Sequence, residues 1–430
     1  MTAGDGCPPG RGDRGPRRAS RRRLFAAAAG GLAAALGPAA SAAPGASPAA
    51  AAAPETEPFF GLHQGGIATA QQRYTYFAAF DLLATKRADL AAMMRGWTDA
   101  AARMARGETA RPLGADGPAP PADSGEALDL PPARLTVTFG FGPGLFLKDG
   151  QDRYGLAARR PAALIELPRF NGDQLQAERS GGDLSVQACA DDPQVAFHAV
   201  RQLARLAYGA ASIRWAQSGF LPARADGGTP RNLIGFKDGT QQPGDLDASV
   251  WVGAEGPEWM RGGSYLVARR IRIALEHWDR TDMDFQEAVI GRHKRSGAPL
   301  GSRSEFDPLR LDAVDTDGNP VIAENAHVRL AAAASHGGAQ ILRRAYAYND
   351  GVGFTAERWP PWRQGIAYDA GLFFLCYQRD PRSGFVRIFE TMAKFDALNQ
   401  FVTHTASGLF ACPRAAQADG FVGEDLLSGG

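Results

Sequence analysis

The chain has 430 residues, with 47 Lys and Arg against 46 Asp and Glu and a formal net charge of +1. That balance supplies no strong basic field for nucleic acid, and no uninterrupted apolar run reaches the roughly 20 residues needed to span a bilayer. The four cysteines lack C-x-x-C spacing, which argues against a zinc ribbon or a disulfide framework.

The first 42 residues hold seven arginines and two acids. Ser20-Arg21-Arg22-Arg23-Leu24-Phe25 precedes a mild apolar run from Ala26 to Leu36, and Ala40-Ser41-Ala42 is a small-x-small cleavage site. Consecutive arginines ahead of a weakly apolar region read as a twin-arginine export signal over residues 1–42, which places the mature protein in the periplasm or cell envelope. The plainer alternative is a disordered, basic, Ala-rich tail. Cleavage would leave 40 basic and 44 acidic side chains of the original 47 and 46, a net charge near −4. Residues 43–58 are Ala/Pro-rich and are expected to be a disordered leader.

Tyr74, Tyr76, Ala78, Phe80 and Leu82 alternate as in a half-buried strand. Leu90, Met94, Trp97, Ala101 and Met104 then recur at helical spacing. Arg111–Asp129 is rich in Pro, Gly and Asp and reads as a surface loop. Leu135–Phe141 and Leu184–Ala188 read as strands. Pro193–Ala207 reads as a helix capped by Asp191 or Asp192, and Ile213–Ser218 as a further strand. Strand, helix, strand, strand, helix, strand is the ferredoxin-like order. A looser series follows: a strand over Tyr265–Leu275, a helix over Asp284–Ile290, strands over Val328–Ala331 and Leu372–Tyr377, and a helix over Phe385–Leu398. The expected fold is α+β, two ferredoxin-like modules packed together over 59–225 and 226–420. Their boundary is the Gly/Asp-rich link Ala223–Thr229. Cys189 and Cys376 sit in apolar runs and are expected to be small buried residues.

The chemistry is first read by elimination. Seven histidines are present, but no H-E-x-x-H, no G-x-S-x-G elbow and no Walker A loop. A haem iron held by one histidine stays compatible, although a lone histidine on a strand is more often structural.

A series of blocks narrows this. Glu57–Ile67, the turn Gly235-Phe236-Lys237-Asp238-Gly239-Thr240, Ile271–Arg280, Gly297–Gly301, Asn325-Ala326-His327-Val328-Arg329-Leu330, Ile341–Tyr346 and Gly371–Phe374 occur in that order. Together they resemble the dye-decolorizing peroxidases, and in particular the exported deferrochelatase/peroxidase branch linked to bacterial iron uptake. The resemblance covers residues 57–412 and implies a dimeric α+β barrel with haem b in the C-terminal module. It makes His327 the iron ligand, with its second ring nitrogen bonded to a carboxylate or carbonyl. Asp238 and Arg343 become the catalytic pair, acting on hydrogen peroxide. Arg292 is expected at a haem propionate, and Phe373 at the haem, its neighbour Phe374 being the alternative. Gln242 stands where this branch usually has Asn, four residues after the catalytic Asp. His63 and His198 are expected to be structural. Implied partners are hydrogen peroxide, a bulky organic reductant, iron-uptake proteins and a second copy of the chain. The alternatives are a deferrochelatase, for which haem is substrate, and a haem carrier without turnover.

Overall fold

The computed structural model describes residues 55–114, 120–223, 228–356 and 364–428. The signal sequence and most of the leader lie outside the described residues, as do the centres of the 111–129 loop and the 223–229 link. No helix among the described residues is long and apolar enough to cross a membrane.

The N-terminal half runs β1 (Tyr74–Leu82), a helix Arg87–Ala105, β2 (Thr136–Phe141), β3 (Leu184–Ala190), a helix Pro193–Leu206 and β4 (Ala211–Phe220). Its strands lie side by side in the order β2-β3-β1-β4. The Pro193 helix begins where expected because Asp192 accepts from the backbone N–H groups of Gln194 and Val195, at 2.7 and 3.0 Å. Asp191 instead accepts from the Arg73 backbone and pairs with Arg134. Trp97 on the first helix is fully buried, and its indole N–H donates to the Leu203 carbonyl at 2.8 Å. The two helices thereby cover one face of the sheet together.

The C-terminal half contains β5 (Ser264–Ile273), β6 (Leu342–Arg343), β7 (Tyr346–Ala356), β8 (Gln364–Gln378) and β9 (Val402–Cys412). Here β5 pairs with both β8 and β9, and β7 pairs with β8, giving the order β9-β5-β8-β7. The halves join at two seams, Phe141 with Ala411 and Phe220 with Ala347. Eight antiparallel strands therefore close into a barrel, and short β6 adds to β8. Among the described residues, closure leaves no long strand edge unpaired. The barrel is filled by Phe77, Trp215, Tyr346, Phe373, Tyr377 and Phe410. Cys189, Cys376 and Cys412 are free and buried.

Two expectations for the C-terminal half change. Val328–Ala331 is not a strand. His327–Ala331 is a short helix, with Leu330 N–H bonded to the Ala326 carbonyl at 3.1 Å. Alternation over four residues cannot separate a strand from one helical turn, and among the described residues no strand pairs with this segment to supply a ladder. The expected helix over Phe385–Leu398 is three pieces: a π turn Arg382–Val386, an α-helix Arg387–Phe395 and a 3-10 turn Ala397–Gln400. Asp396 breaks the series in an extended conformation and caps the last piece.

Candidate active site

A cavity of about 590 Å³ opens between the cavity-facing strands β5, β6, β8 and β9, the turn 232–243, the His327 helix and the helix Arg387–Phe395. That is the size range of small-molecule and cofactor sites.

The turn carrying Asp238 is built by its own backbone. Gly235 N–H donates to the Asn232 carbonyl at 3.0 Å, Asn232 N–H to the Phe236 carbonyl at 2.9 Å, and Asp238 N–H to the Pro230 carbonyl at 2.9 Å. Gly235 and Gly239 adopt φ of +87° and +117°, where a side chain would be strained. A Cβ on Gly235 would also meet the Lys294 side chain at 2.6 Å. Glu305 ties the turn down by pairing with Lys237 and accepting from the Thr240 hydroxyl at 3.0 Å.

Arg343 reaches this turn from β6. Its Nη1 donates to Asp238 Oδ1 at 2.9 Å and its Nη2 to the Gln241 carbonyl at 3.1 Å. Both side chains stay partly open, at 21% for Asp238 and 28% for Arg343, so the pair faces the cavity without being sealed from it. Arg344 points to the other face of the strand. It is buried, and bonds the Thr69 carbonyl and the Gln72 side chain.

Gln242 lines the cavity, and its amide bonds the Arg343 backbone. Its Oε1 accepts from the Arg343 backbone N–H at 2.9 Å and its Nε2 donates to the Arg343 carbonyl at 2.7 Å. Both ends of the amide bond the backbone of one residue, the N–H and the carbonyl of Arg343, which the methylene absent from Asn allows it to reach. Gln242 is thus a clamp on the Arg343 backbone, and one N–H of its amide remains beyond the one given to the carbonyl.

His327 begins its short helix and lines the same cavity. Its Nδ1 lies 2.7 Å from Asp396 Oδ2, which leaves Nε2 as the nitrogen available to a metal. Burial alone would lower the His327 pKa. The charge of Asp396 and its hydrogen bond outweigh burial and raise it, and smaller influences of Asp238 and Arg343 also reach the ring. Sequence reasoning expected a carboxylate or carbonyl here but did not find Asp396. The partner lies 69 residues downstream, and its only local signal is as the cap of the 397–400 turn.

Arg292 is buried at the cavity wall. Its Nη1 donates to the Gly297 and Glu305 carbonyls at 2.7 and 2.9 Å, and burial pulls its pKa below the usual arginine value. Phe373 requires a correction. It is fully buried in the barrel core against Phe77 and Trp215, with centroids 5.5 and 6.4 Å away, and does not line the cavity. Leu372 and Phe374 do, because neighbouring residues on a strand face opposite sides. His63 stacks on Trp251 at 3.6 Å and bonds the Gly262 carbonyl, apart from this cavity. His198 sits between Asp123 and Glu126, at 3.5 and 3.2 Å. Tyr346 and Tyr348 are buried.

Comparison with known proteins places the chain. Residues 64–221 match the model of the Dyp-type peroxidase N-terminal region, and residues 229–417 that of the C-terminal region. The chain is 39% identical over 386 residues to the dye-decolorizing peroxidase of Thermobifida fusca, covering 85% of this chain and 84% of that protein. It is 37% identical over 388 residues to the deferrochelatase of Escherichia coli K12, covering 87% and 88%. The structure is similar to that of ferric DtpA from Streptomyces lividans, with a TM-score of 0.79 and 42% identity over 89% of this chain and all of that one. Two adjoining family matches and full-length likeness of sequence and structure carry the same conclusion: the chain belongs to the Dyp-type peroxidase family.

Proposed function

We propose that the protein is an exported haem b peroxidase that uses hydrogen peroxide to oxidise bulky organic compounds, in connection with iron uptake. The observation that carries this is the presence, in one cavity, of a histidine with a free Nε2 backed by a buried carboxylate and of an Arg–Asp pair that stays open to the cavity. The residues fit the group. The cavity volume, its Ile, Leu and Phe lining and a single imidazole ligand suit an iron tetrapyrrole. The ferric state of a relative at 42% identity supports the same cofactor. The 4-1-3-2 strand order in each half supports reading the fold as two ferredoxin-like modules, with the haem in the second.

His327 Nε2 would hold the iron, and Asp396 keeps the ring in one tautomer and raises its basicity. Bound haem supplies the redox-active iron at which peroxide is reduced. Asp238 would accept a proton from one oxygen of hydrogen peroxide and return it to the other. The Arg343 guanidinium, fixed by Asp238, Gln241 and the Gln242 clamp, stabilises the negative charge that develops as the O–O bond breaks. A haem carrier would need neither group. Arg292, a buried cation that lines the cavity, would be the partner of a propionate, although one of its nitrogens already serves two carbonyls.

The test is the absorption spectrum of the purified protein before and after hydrogen peroxide, followed by dye oxidation. Peroxide-dependent bleaching of dye supports the peroxidase reading. Iron release with intact protoporphyrin would turn the assignment to the deferrochelatase reaction named for the Escherichia coli relatives. His327→Ala should lose most bound haem, and full retention with normal activity would overturn the ligand assignment. Export rests on residues 1–42, and replacing Arg21 and Arg22 by Lys should strand haem-loaded precursor inside the cell. Homo-oligomerisation and contact with iron-uptake proteins belong to the same reading.

A further inference from the structure

His404 is a cavity residue that the chemistry above does not use. It reaches the cavity through an irregularity in β9. Arg270 pairs with Ala406, but the next residue, Ile271, pairs with His404, so Thr405 is an extra, bulged residue. In a regular ladder Thr405 would stand opposite Ile271. The bulge puts the imidazole there instead, on the face where Ile271, Ile273 and Val402 also line the cavity.

Behind the ring lies a fully buried guanidinium. Arg269 Nε donates to His404 Nδ1 at 3.0 Å, Nη1 donates to Ser407 Oγ at 3.1 Å, and Nη2 pairs with buried Asp173. The rings of Phe170 and Phe389 flank it, at 5.4 and 5.2 Å. Arginine only donates, so His404 Nδ1 must be the acceptor and the ring proton sits on Nε2. A second proton would set N–H against N–H. Burial and the charge of Arg269 hold the His404 pKa well below the ordinary histidine value, in agreement with that geometry. The residue is only 8% exposed, and among the described residues Nε2 has no hydrogen-bond partner. The Nε2–H therefore opens into the cavity, and its acceptor is expected to come from what fills that space.

We propose that His404 is a ligand-binding residue of this cavity, its Nε2–H donating to an oxygen acceptor brought by the occupant, either a tetrapyrrole carboxylate or a water held against the ring system. This rests on the haem reading above. Asp173 belongs to the loop between β2 and β3, so the N-terminal half helps to set this donor, although the residues that line the cavity all come from the C-terminal half.

The experiment compares equilibrium binding of ferric haem and of its dimethyl ester to wild type, His404→Asn and His404→Gln. Asn keeps an acceptor for Arg269 but is too short to present the donor, whereas Gln spans both. His404→Asn should bind haem about tenfold more weakly, the factor carried by one hydrogen bond of about 1.4 kcal/mol. His404→Gln should stay within about threefold of wild type on the same scale. A loss seen with haem and absent with the ester identifies a carboxylate, and an equal loss with both identifies water. His404→Asn binding both compounds as wild type does would overturn the proposal alone. A wild type that took up neither would overturn the haem reading and this proposal with it.

Discussion

Asp396 serves two donors with its two oxygens. Oδ2 lies 2.7 Å from His327 Nδ1, and Oδ1 accepts from the Leu398 backbone N–H at 2.9 Å, in a side chain only 3% exposed. Asp396→Asn keeps the shape but leaves one oxygen for two donors. Whichever way the amide turns, its NH₂ faces an N–H. One buried donor therefore goes unmet, at a cost of about 1–3 kcal/mol. If the oxygen stays on His327, the 397–400 turn loses its cap and the apo-protein melts lower. If it turns to Leu398, the imidazole loses its acceptor, and ligand affinity should fall by about 10–100-fold, as for other partners of metal-binding histidines. The deficit must appear in one measurement or the other. Thermal unfolding of the apo-protein and the rate of haem transfer to an excess of a haem-binding acceptor protein read the two arms. A variant with wild-type values in both would refute the reasoning, because Asp396 would then be doing neither job.

Asp238→Asn and Arg343→Leu should keep haem but slow peroxide-dependent dye oxidation, the arginine change by about 10²–10³, and stopped-flow rates equal to wild type in both would remove them from the mechanism. Gln242→Ala frees the Arg343 peptide and should lower kcat without altering the haem spectrum, while Tm reports about 1 kcal/mol of lost stability; a changed spectrum with unchanged kcat would argue for a direct cofactor contact. The pH dependence of stability tests His404. Its folded pKa is depressed below the ordinary 6.5, so its contribution is present above pH 6.5 and is lost as pH falls and only the unfolded chain takes up the proton. The loss approaches about 1.4 kcal/mol per pH unit. His327, whose pKa is raised, acts in the other direction, stabilising below pH 6.5 with that contribution lost as pH rises through its folded value. The His327 term is common to wild type and His404→Gln, so urea titrations from pH 7.5 to 5.5 should show the variant losing less stability; parallel curves would mean that His404 is protonated in the folded protein.

Local chemistry was legible in the amino-acid sequence wherever a feature is made by residues close together. The turn around Asp238 could be read because Gly235 and Gly239 are required by its own backbone. The Pro193 helix could be read because its cap is two and three residues from the donors it serves. The order of strands and helices in the N-terminal half follows from period and punctuation alone. The opposed faces of Arg343 and Arg344 follow from alternation, but which face meets Asp238 does not.

What only the tertiary structure decided has a common physical cause: the partners are far apart in the chain, and side-chain type does not say which distant group will be met. Phe373 and Phe374 are equally apolar, and the register of β8 against β5 decides which fills the barrel and which lines the cavity. Asp396 is chemically like any other carboxylate until the break after the Arg387 helix sets it against His327. Gln242 has one methylene more than Asn, and that length matters only because β6 brings the Arg343 peptide within its reach. His404 faces the cavity because a bulge displaces Thr405, and its tautomer is set by an arginine 135 residues away. Composition and spacing determine which groups are available, whereas barrel closure and strand register determine which of them meet.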